Sequence, residues 1–191
     1  PNASPAPRGG QRYLRRSNAL AERAAGAIVE KTLRWIDPAR CRMWEGHNRR
    51  YDLLDEERCA DLIEGIKAQG GQEFPAIVRP LPAGGAHDFE VICGARRHWT
   101  ISWLNANNYP QFRFLIEVRD LTDEEAFRLA DIENRDRRDI TDYERALDYA
   151  RACELYYDGH QGRMADRLDV SGAWLSRYLD LARLPQEVVA A

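Results

Sequence analysis

The apolar positions of the chain change period several times, and each change marks an element. Cys59, Leu62, Ile63 and Ile66 recur at helical spacing and predict a helix over residues 55–67, closed by Gly70-Gly71. Phe74 to Arg79 and Asp88 to Cys93 read as strands joined by a Pro/Gly-rich turn. Helical spacing returns from Arg96 to about Asn105, and Gln111 to Val118 alternates as another strand. Beyond residue 118 the pattern is helical throughout. Two capping boxes, Thr122-x-x-Glu125 and Thr141-x-x-Glu144, predict where helices begin. A further helix is expected from Ser17 to about Lys31, after a Pro/Gly/Ala/Ser-rich start that predicts disorder.

Strands confined to the middle and helices after them predict an α+β chain in two parts. One is a small α/β domain over residues 17–135, and the other an all-helical domain over residues 136–191. The junction carries Glu133-Asn134-Arg135-Asp136-Arg137-Arg138-Asp139. At Cys93-Gly94-Ala95-Arg96-Arg97 a strand runs into a glycine turn and then a helix. Backbone N–H groups at such a turn, with two guanidinium forks beside them, suit an anion such as a triphosphate. Glu133 and Asn134 add the hard oxygen ligands that a phosphate-bound magnesium needs.

Residues 161–182 fit a helix-turn-helix. Met164 and Ala165 lie in the first helix, Leu168 ends it, Val170 occupies the turn, and Leu175 and Tyr178 lie in the second. Asp169 stands where a turn glycine is usual, and as an aspartate it tolerates a left-handed backbone. Ser171 is the expected N-cap, so Gly172, Ala173, Ser176 and Arg177 face outward toward base edges or phosphate. Arg163 on the first helix is a further candidate DNA contact. Residues 160–184 hold four arginines against three aspartates, a surplus too small for one copy to bind DNA tightly at physiological salt. Dimerisation is therefore expected.

Composition narrows the class of protein. The 191 residues carry a net charge of −3, yet residues 1–50 hold eleven Lys/Arg against four Asp/Glu, and the remaining 141 hold seventeen against twenty-seven. A basic front end therefore precedes an acidic body. No run of about 18 apolar residues is present, and the N-terminus lacks a charged-then-apolar leader pattern, so a soluble, cytoplasmic protein with no membrane partner is expected. Cys41, Cys59, Cys93 and Cys153 form neither a C-x-x-C pair nor a Cys/His metal spacing, which suits reduced thiols.

Four motifs in fixed order carry a family resemblance. They are Ile66-x4-Gly71-Gln72-x2-Pro75-x-Ile77-Val78-Arg79-Pro80, then Gly94-Ala95-Arg96-Arg97, then Glu133-Asn134-x2-Arg137-x-Asp139, then the helix-turn-helix. Over residues 50–187 the chain resembles the ParB partition proteins, particularly plasmid-borne members. The resemblance implies a small ParB/sulfiredoxin-like α/β domain that binds CTP with Mg2+. It also implies a helix-turn-helix that reads a palindromic centromere-like (parS-like) duplex, and a homodimer that closes as a sliding clamp. Nucleoid or plasmid association follows from the same likeness. So does a partner ATPase of the ParA type, engaged in this chain by Arg8, Arg12, Arg15 and Arg16 of the basic arm over residues 1–16. Family members continue past the helix-turn-helix into a linker and a C-terminal dimerisation domain, so the chain is expected to be a shortened piece.

Carried onto this chain, the resemblance places Gly71 and Gln72 in the loop bordering the nucleotide, and Gly94, Ala95, Arg96 and Arg97 on the phosphate turn. Glu133 and Asn134 would hold the metal, and Arg137 would contact phosphate or the neighbouring helix. Asn48, Arg49 and Arg50 would stand near a first nucleotide loop. Most chromosomal relatives have Glu where this chain has Ala95, and a methyl group neither orients water nor accepts a proton. CTP is therefore expected to be bound but cleaved slowly.

Three rival readings differ in what they need. Sulfiredoxin chemistry on this fold needs a cysteine at position 95, whereas Cys93 reads as a buried strand residue. A nuclease would need clustered acids or a His/Asp set, and His47, His87, His98 and His160 fall in four separate segments. A nucleotide-independent DNA-binding regulator predicts the same helix-turn-helix and differs only in its response to CTP. Trp99 and Trp103, spaced i, i+4, are expected to pack in the core, and Trp174 to fill the space between helices.

Overall fold

A computed structural model describes residues 31–46, 51–135 and 140–184. Five strands form one sheet: β1 (Thr32–Ile36), β2 (Cys41–Met43), β3 (Ala76–Pro80), β4 (Phe89–Cys93) and β5 (Phe114–Val118), in the order β1-β5-β3-β4-β2. β4 runs antiparallel to β3 and parallel to β2, and β3 is parallel to β5. β4 is buried at all five positions, which explains its unbroken apolar run apart from Glu90. β1 and β2 were not legible as strands in the sequence. β1 is an edge strand with its first four residues exposed, so no buried face imposes an alternating pattern on it.

Six helices occur among the described residues: α1 (Ala60–Gln69), α2 (Ala95–Ala106), α3 (Asp123–Asn134), α4 (Asp142–Tyr157), α5 (Gln161–Leu168) and α6 (Gly172–Leu181). Both predicted capping boxes are formed, with Thr122 and Thr141 each accepting from the N–H three residues on and each Glu answering to the cap N–H. α1 starts at Ala60 rather than Asp55 because the Asp55 carboxylate accepts from Arg58 N at 2.8 Å and holds that segment as a turn. It ends at Gly70, whose φ of 75° supplies the left-handed cap. β5 starts at Phe114 rather than Gln111, since Phe112 N still bonds back to Tyr109 O.

The described residues from Leu33 onward form one compact unit, with two apolar cores inside it. One packs Ile63 and Ile66 of α1 and Ile101 and Leu104 of α2 against Val78, Val91, Phe114 and Ile116 of the sheet. The other gathers Phe127 and Ala130 of α3, Tyr149, Cys153 and Tyr157 of α4, Met164 and Leu168 of α5, and Leu175 and Leu179 of α6. Ile92 and Cys93, at the end of β4, belong to this second core, while Phe89 and Val91 of the same strand belong to the first. The arrangement is α+β, as the sequence implies. All four cysteines are buried and unpaired, and the rings of Trp99 and Trp103 stack at 6.4 Å against the first core. His98 is buried, bonded to Tyr51 Oη at 2.8 Å and to the Pro38 carbonyl at 3.0 Å, so its role is packing. Among the described residues no helix is long and apolar enough to cross a membrane.

Candidate functional site

The site is built where β4 gives way to α2. Gly94 turns the chain with φ 108° and ψ 29°, and a Cβ added there would lie 2.7 Å from Ala76 Cβ and 3.1 Å from Ala76 Cα. Only glycine satisfies both that dihedral and that approach. Gly94 offers no side-chain cap, so the first N–H groups of α2 keep their donor capacity for a ligand.

Arg96 and Arg97 leave the first turn of α2 in different directions. The Arg96 guanidinium donates to Asp61 Oδ1 at 2.5 Å and to the Arg58 carbonyl at 2.6 Å, tying α2 to α1. Arg97 donates to the Pro75 carbonyl at 3.0 Å and approaches Glu133 Oε1 at 3.9 Å, with both side chains about 30% exposed (29% and 31%). Burial pushes the Cys93 thiol far above its ordinary range, and the negative charge of the Glu133 carboxylate beside it adds to the effect. Cys93 is thus a neutral neighbour of Glu133. This contact was invisible in the sequence, because forty residues separate the two.

The structure therefore joins Gly94, Arg97 and Glu133, from the turn after β4, from α2 and from α3, around one open turn. Ala95 is buried at 3% exposure. Asn134 is buried too, and its amide donates to the Ala130 carbonyl at 2.9 Å inside its own helix. To ligate a metal through Oδ1 it would have to be brought out of its buried position. Gly71 completes the cap of α1 by donating to the Ile66 carbonyl at 3.0 Å. Gln72 is buried, with its amide donating to the carbonyls of Phe74 (2.7 Å) and Leu115 (2.8 Å) and accepting from Leu115 N (3.1 Å). Its side chain fixes the loop to β5, and it is the loop's backbone that remains for a ligand. Arg137, Asn48, Arg49 and Arg50, and Arg8, Arg12, Arg15 and Arg16 lie outside the described residues.

The second candidate surface is the helix-turn-helix of α5 and α6. Asp169 takes φ 54° and ψ 50° between the helices, the left-handed conformation expected of it. Ser171 caps α6 by accepting from Trp174 N at 3.2 Å. Gly172, Ala173 and Arg177 are exposed and Ser176 half-buried, so one face of α6 is open along its first two turns. Arg163 is 65% exposed, 4.0 Å from Asp158. Leu175 and Leu179 are the buried pair of α6. Tyr178, in the second helix as expected, lies half-buried with its hydroxyl donating to Asp142 Oδ1 at 3.1 Å. Trp174 packs on Tyr178 at 4.6 Å and Tyr149 at 5.6 Å between ring centroids, as an interhelix filler should.

Sequence reading missed a polar cluster between the two surfaces. Asp131, 3% exposed, accepts from Arg135 at 2.5 and 3.0 Å and from Tyr149 Oη at 2.6 Å. Arg135 also donates to the Leu168 carbonyl at 2.8 Å, and Arg145 donates to the Arg135 carbonyl. The i, i+4 spacing of Asp131 and Arg135 was the available signal.

Comparison with known proteins places these features in context. The family model described as the centromere-binding protein HTH domain matches residues 140–191. A nucleoid occlusion protein of Geobacillus thermodenitrificans is 34% identical over 139 residues, covering 73% of this chain and 46% of the relative. Protein SopB of Escherichia coli O157:H7 is 30% identical over 165 residues, covering 86% of this chain and 45% of the relative. The chain thus spans just under half the length of these curated relatives. The C-terminally truncated chromosome-partitioning protein ParB from Caulobacter crescentus, solved with its centromeric parS site, matches with a TM-score of 0.55 and 24% identity over 82% of this chain and 75% of that one.

Proposed function

Because the chain belongs to the ParB-type partition family, we propose that it is a DNA-segregation protein that grips a palindromic centromere-like duplex through α6 and closes as a dimeric sliding clamp when CTP and Mg2+ bind at the Gly94 turn. The DNA-binding part of this reading rests on the open face of α6 and on the family match over the same residues. Gly172, Ala173 and Ser176 would meet base edges. Arg163 and Arg177 would meet phosphate, with Ser171 presenting the helix N-terminus. A single copy has little net positive charge here, so two copies on a two-fold site would supply the affinity.

The observation that carries the nucleotide part is the apposition of Arg97 and Glu133 across the Gly94 turn. The donor set fits a magnesium triphosphate. The N-terminus of α2 and the Arg97 fork would hold phosphate oxygens, and Glu133 offers a half-exposed hard oxygen to the metal. Asn134 would join only by bringing its buried Oδ1 into the open, and Arg96 by turning from Asp61. Bound Mg2+ would neutralise phosphate charge. The residues themselves would bind and orient, and the buried methyl of Ala95 neither orients water nor accepts a proton, so turnover would be slow unless another carboxylate takes that part. The basic arm carrying Arg8, Arg12, Arg15 and Arg16 would engage a ParA-type ATPase.

Calorimetric titration with CTP, ATP, GTP and UTP in the presence of magnesium tests the reading. Selective CTP binding is expected, weakened at least about tenfold by Arg97→Ala and less by Arg96→Ala, since a charged hydrogen bond contributes about 1.5–3 kcal/mol. The burial of Asn134 and the commitment of Arg96 to Asp61 favour a second reading, a nucleotide-independent helix-turn-helix regulator. A folded protein that binds none of the four nucleotides would establish that second reading.

A further inference from the structure

Three aspartates lie in the helix-turn-helix, at positions 166, 169 and 180. Asp169 supplies the left-handed residue between the helices, and Asp166 belongs to α5, outside the helix that faces DNA. Asp180 has no such account. Ala173, Arg177 and Asp180 follow one another at spacings of four and three residues, and all three are exposed. They therefore share the face of α6 turned away from the buried Leu175 and Leu179.

Asp180 is poorly placed for stability. It stands in the last turn of α6, where the helix dipole disfavours a carboxylate, and aspartate is a weak helix former. Its ion pair with Arg183 spans 3.4 Å between side chains that are 66% and 72% exposed, an arrangement that contributes little.

On a surface that meets DNA, a carboxylate is repelled by every phosphate. What it can accept from is an amino group on a base edge. In the major groove those groups are cytosine N4 and adenine N6, and adenine sets its N7 acceptor beside N6, against a carboxylate. Cytosine N4 is the group that fits. From Gly172 to Asp180 the helix rises about 12 Å, which matches the width of the major groove, so the third turn still reaches base edges when the first turn enters. Arg177 and Arg183, three residues to either side, offset the repulsion from the duplex.

We infer that Asp180 is a specificity-determining residue of α6, accepting from the N4 amino group of a cytosine in each half of the duplex. The inference rests on the DNA-binding reading above. A carboxylate here lowers affinity for all DNA and lowers it least where a cytosine amino group answers it, so selectivity comes partly from exclusion.

The test uses the full chain and a duplex recovered from a random library by selection against the wild-type protein. Each base pair of one half-site is replaced in turn by its transition partner, and affinity is read by fluorescence anisotropy at fixed salt. Replacing C·G by T·A puts the O4 acceptor of thymine where the N4 donor stood. At one such pair the replacement should weaken wild-type binding at least about tenfold. In Asp180→Ala the same replacement should change affinity less than about twofold, while the preferences at other pairs are kept. Asp180→Asn, whose amide either accepts from N4 or donates to O4, should bind the two duplexes within about threefold of each other. Both variants should melt at or above the wild-type temperature, which separates lost discrimination from lost folding.

If Asp180→Ala instead binds every duplex more tightly by one common factor, Asp180 faces a phosphate, and the inference falls while the DNA reading stands. Variants that keep every wild-type preference, or lose one at a pair other than C·G, overturn it in the same way. A wild type that selects no duplex overturns the inference and the DNA reading together.

Discussion

Gly94 and Ala76 approach so closely that a side chain on the first would place its Cβ 2.7 Å from the methyl of the second. Gly94→Ala combines that overlap with a φ of 108°, and the two penalties together amount to about 3 kcal/mol or more. Urea unfolding should show a correspondingly lower midpoint. Adding Ala76→Gly relieves the methyl contact but not the dihedral, so the double variant should recover only part of the loss. Full recovery would show that the dihedral contributes nothing.

Gln72 was expected to border a ligand, and its three backbone bonds predict a different phenotype. Gln72→Ala leaves Leu115 N and O, which are buried, and Phe74 O, which is partly buried, without that partner, which should cost about 3 kcal/mol of stability. A melting temperature within a degree of wild type would contradict this account of the loop.

Asp148 on α4 predicts a pH dependence of definite sign. Burial raises its carboxyl to about 6, with Arg151 opposing and Glu144 reinforcing the shift. A folded-state value above the unfolded one means that folding takes up a proton, so stability is lost as pH rises from about 4 to 6, and the penalty is constant above that. Asp148→Asn should therefore be more stable than wild type at pH 8, by on the order of 1 kcal/mol once solvent on its exposed side is allowed for. The advantage should vanish near pH 4. Denaturant titrations at the two pH values decide it.

On α6, two substitutions should separate fold from recognition. Ser171→Ala removes the N-cap bond to Trp174 N and should destabilise the protein by about 1 kcal/mol. Arg177→Ala should leave stability within about 0.5 kcal/mol, being exposed, yet weaken DNA binding about tenfold and lower the salt dependence by about one counterion. Equal DNA affinity for Arg177→Ala and wild type would remove that arginine from the interface.

The elements most easily read from the sequence were those whose pattern answers to a buried face or a cap. Thr122, Thr141 and Ser171 announced their helices, and the 3.6-residue spacing of Ile63 and Ile66 announced α1. β1 escaped notice because its pattern answers to solvent. At the site, the conjunction of Gly94, Arg97 and Glu133 was anticipated from motif order. The inward turn of Asn134, the diversion of Arg96 to Asp61 and the thiol of Cys93 against Glu133 were not, since each depends on a side-chain direction that only packing decides.

β4 faces two ways at once, with Phe89 and Val91 committed to the sheet's own core and Ile92 and Cys93 to that of the helices. The chain is accordingly poor material for modular exchange. A graft that transplanted only the DNA-reading helices onto a foreign sheet would have to reproduce the last two residues of a strand belonging to the other half. Drift at positions 92 and 93 is likewise answerable to both halves, so neither is free to diverge without the other.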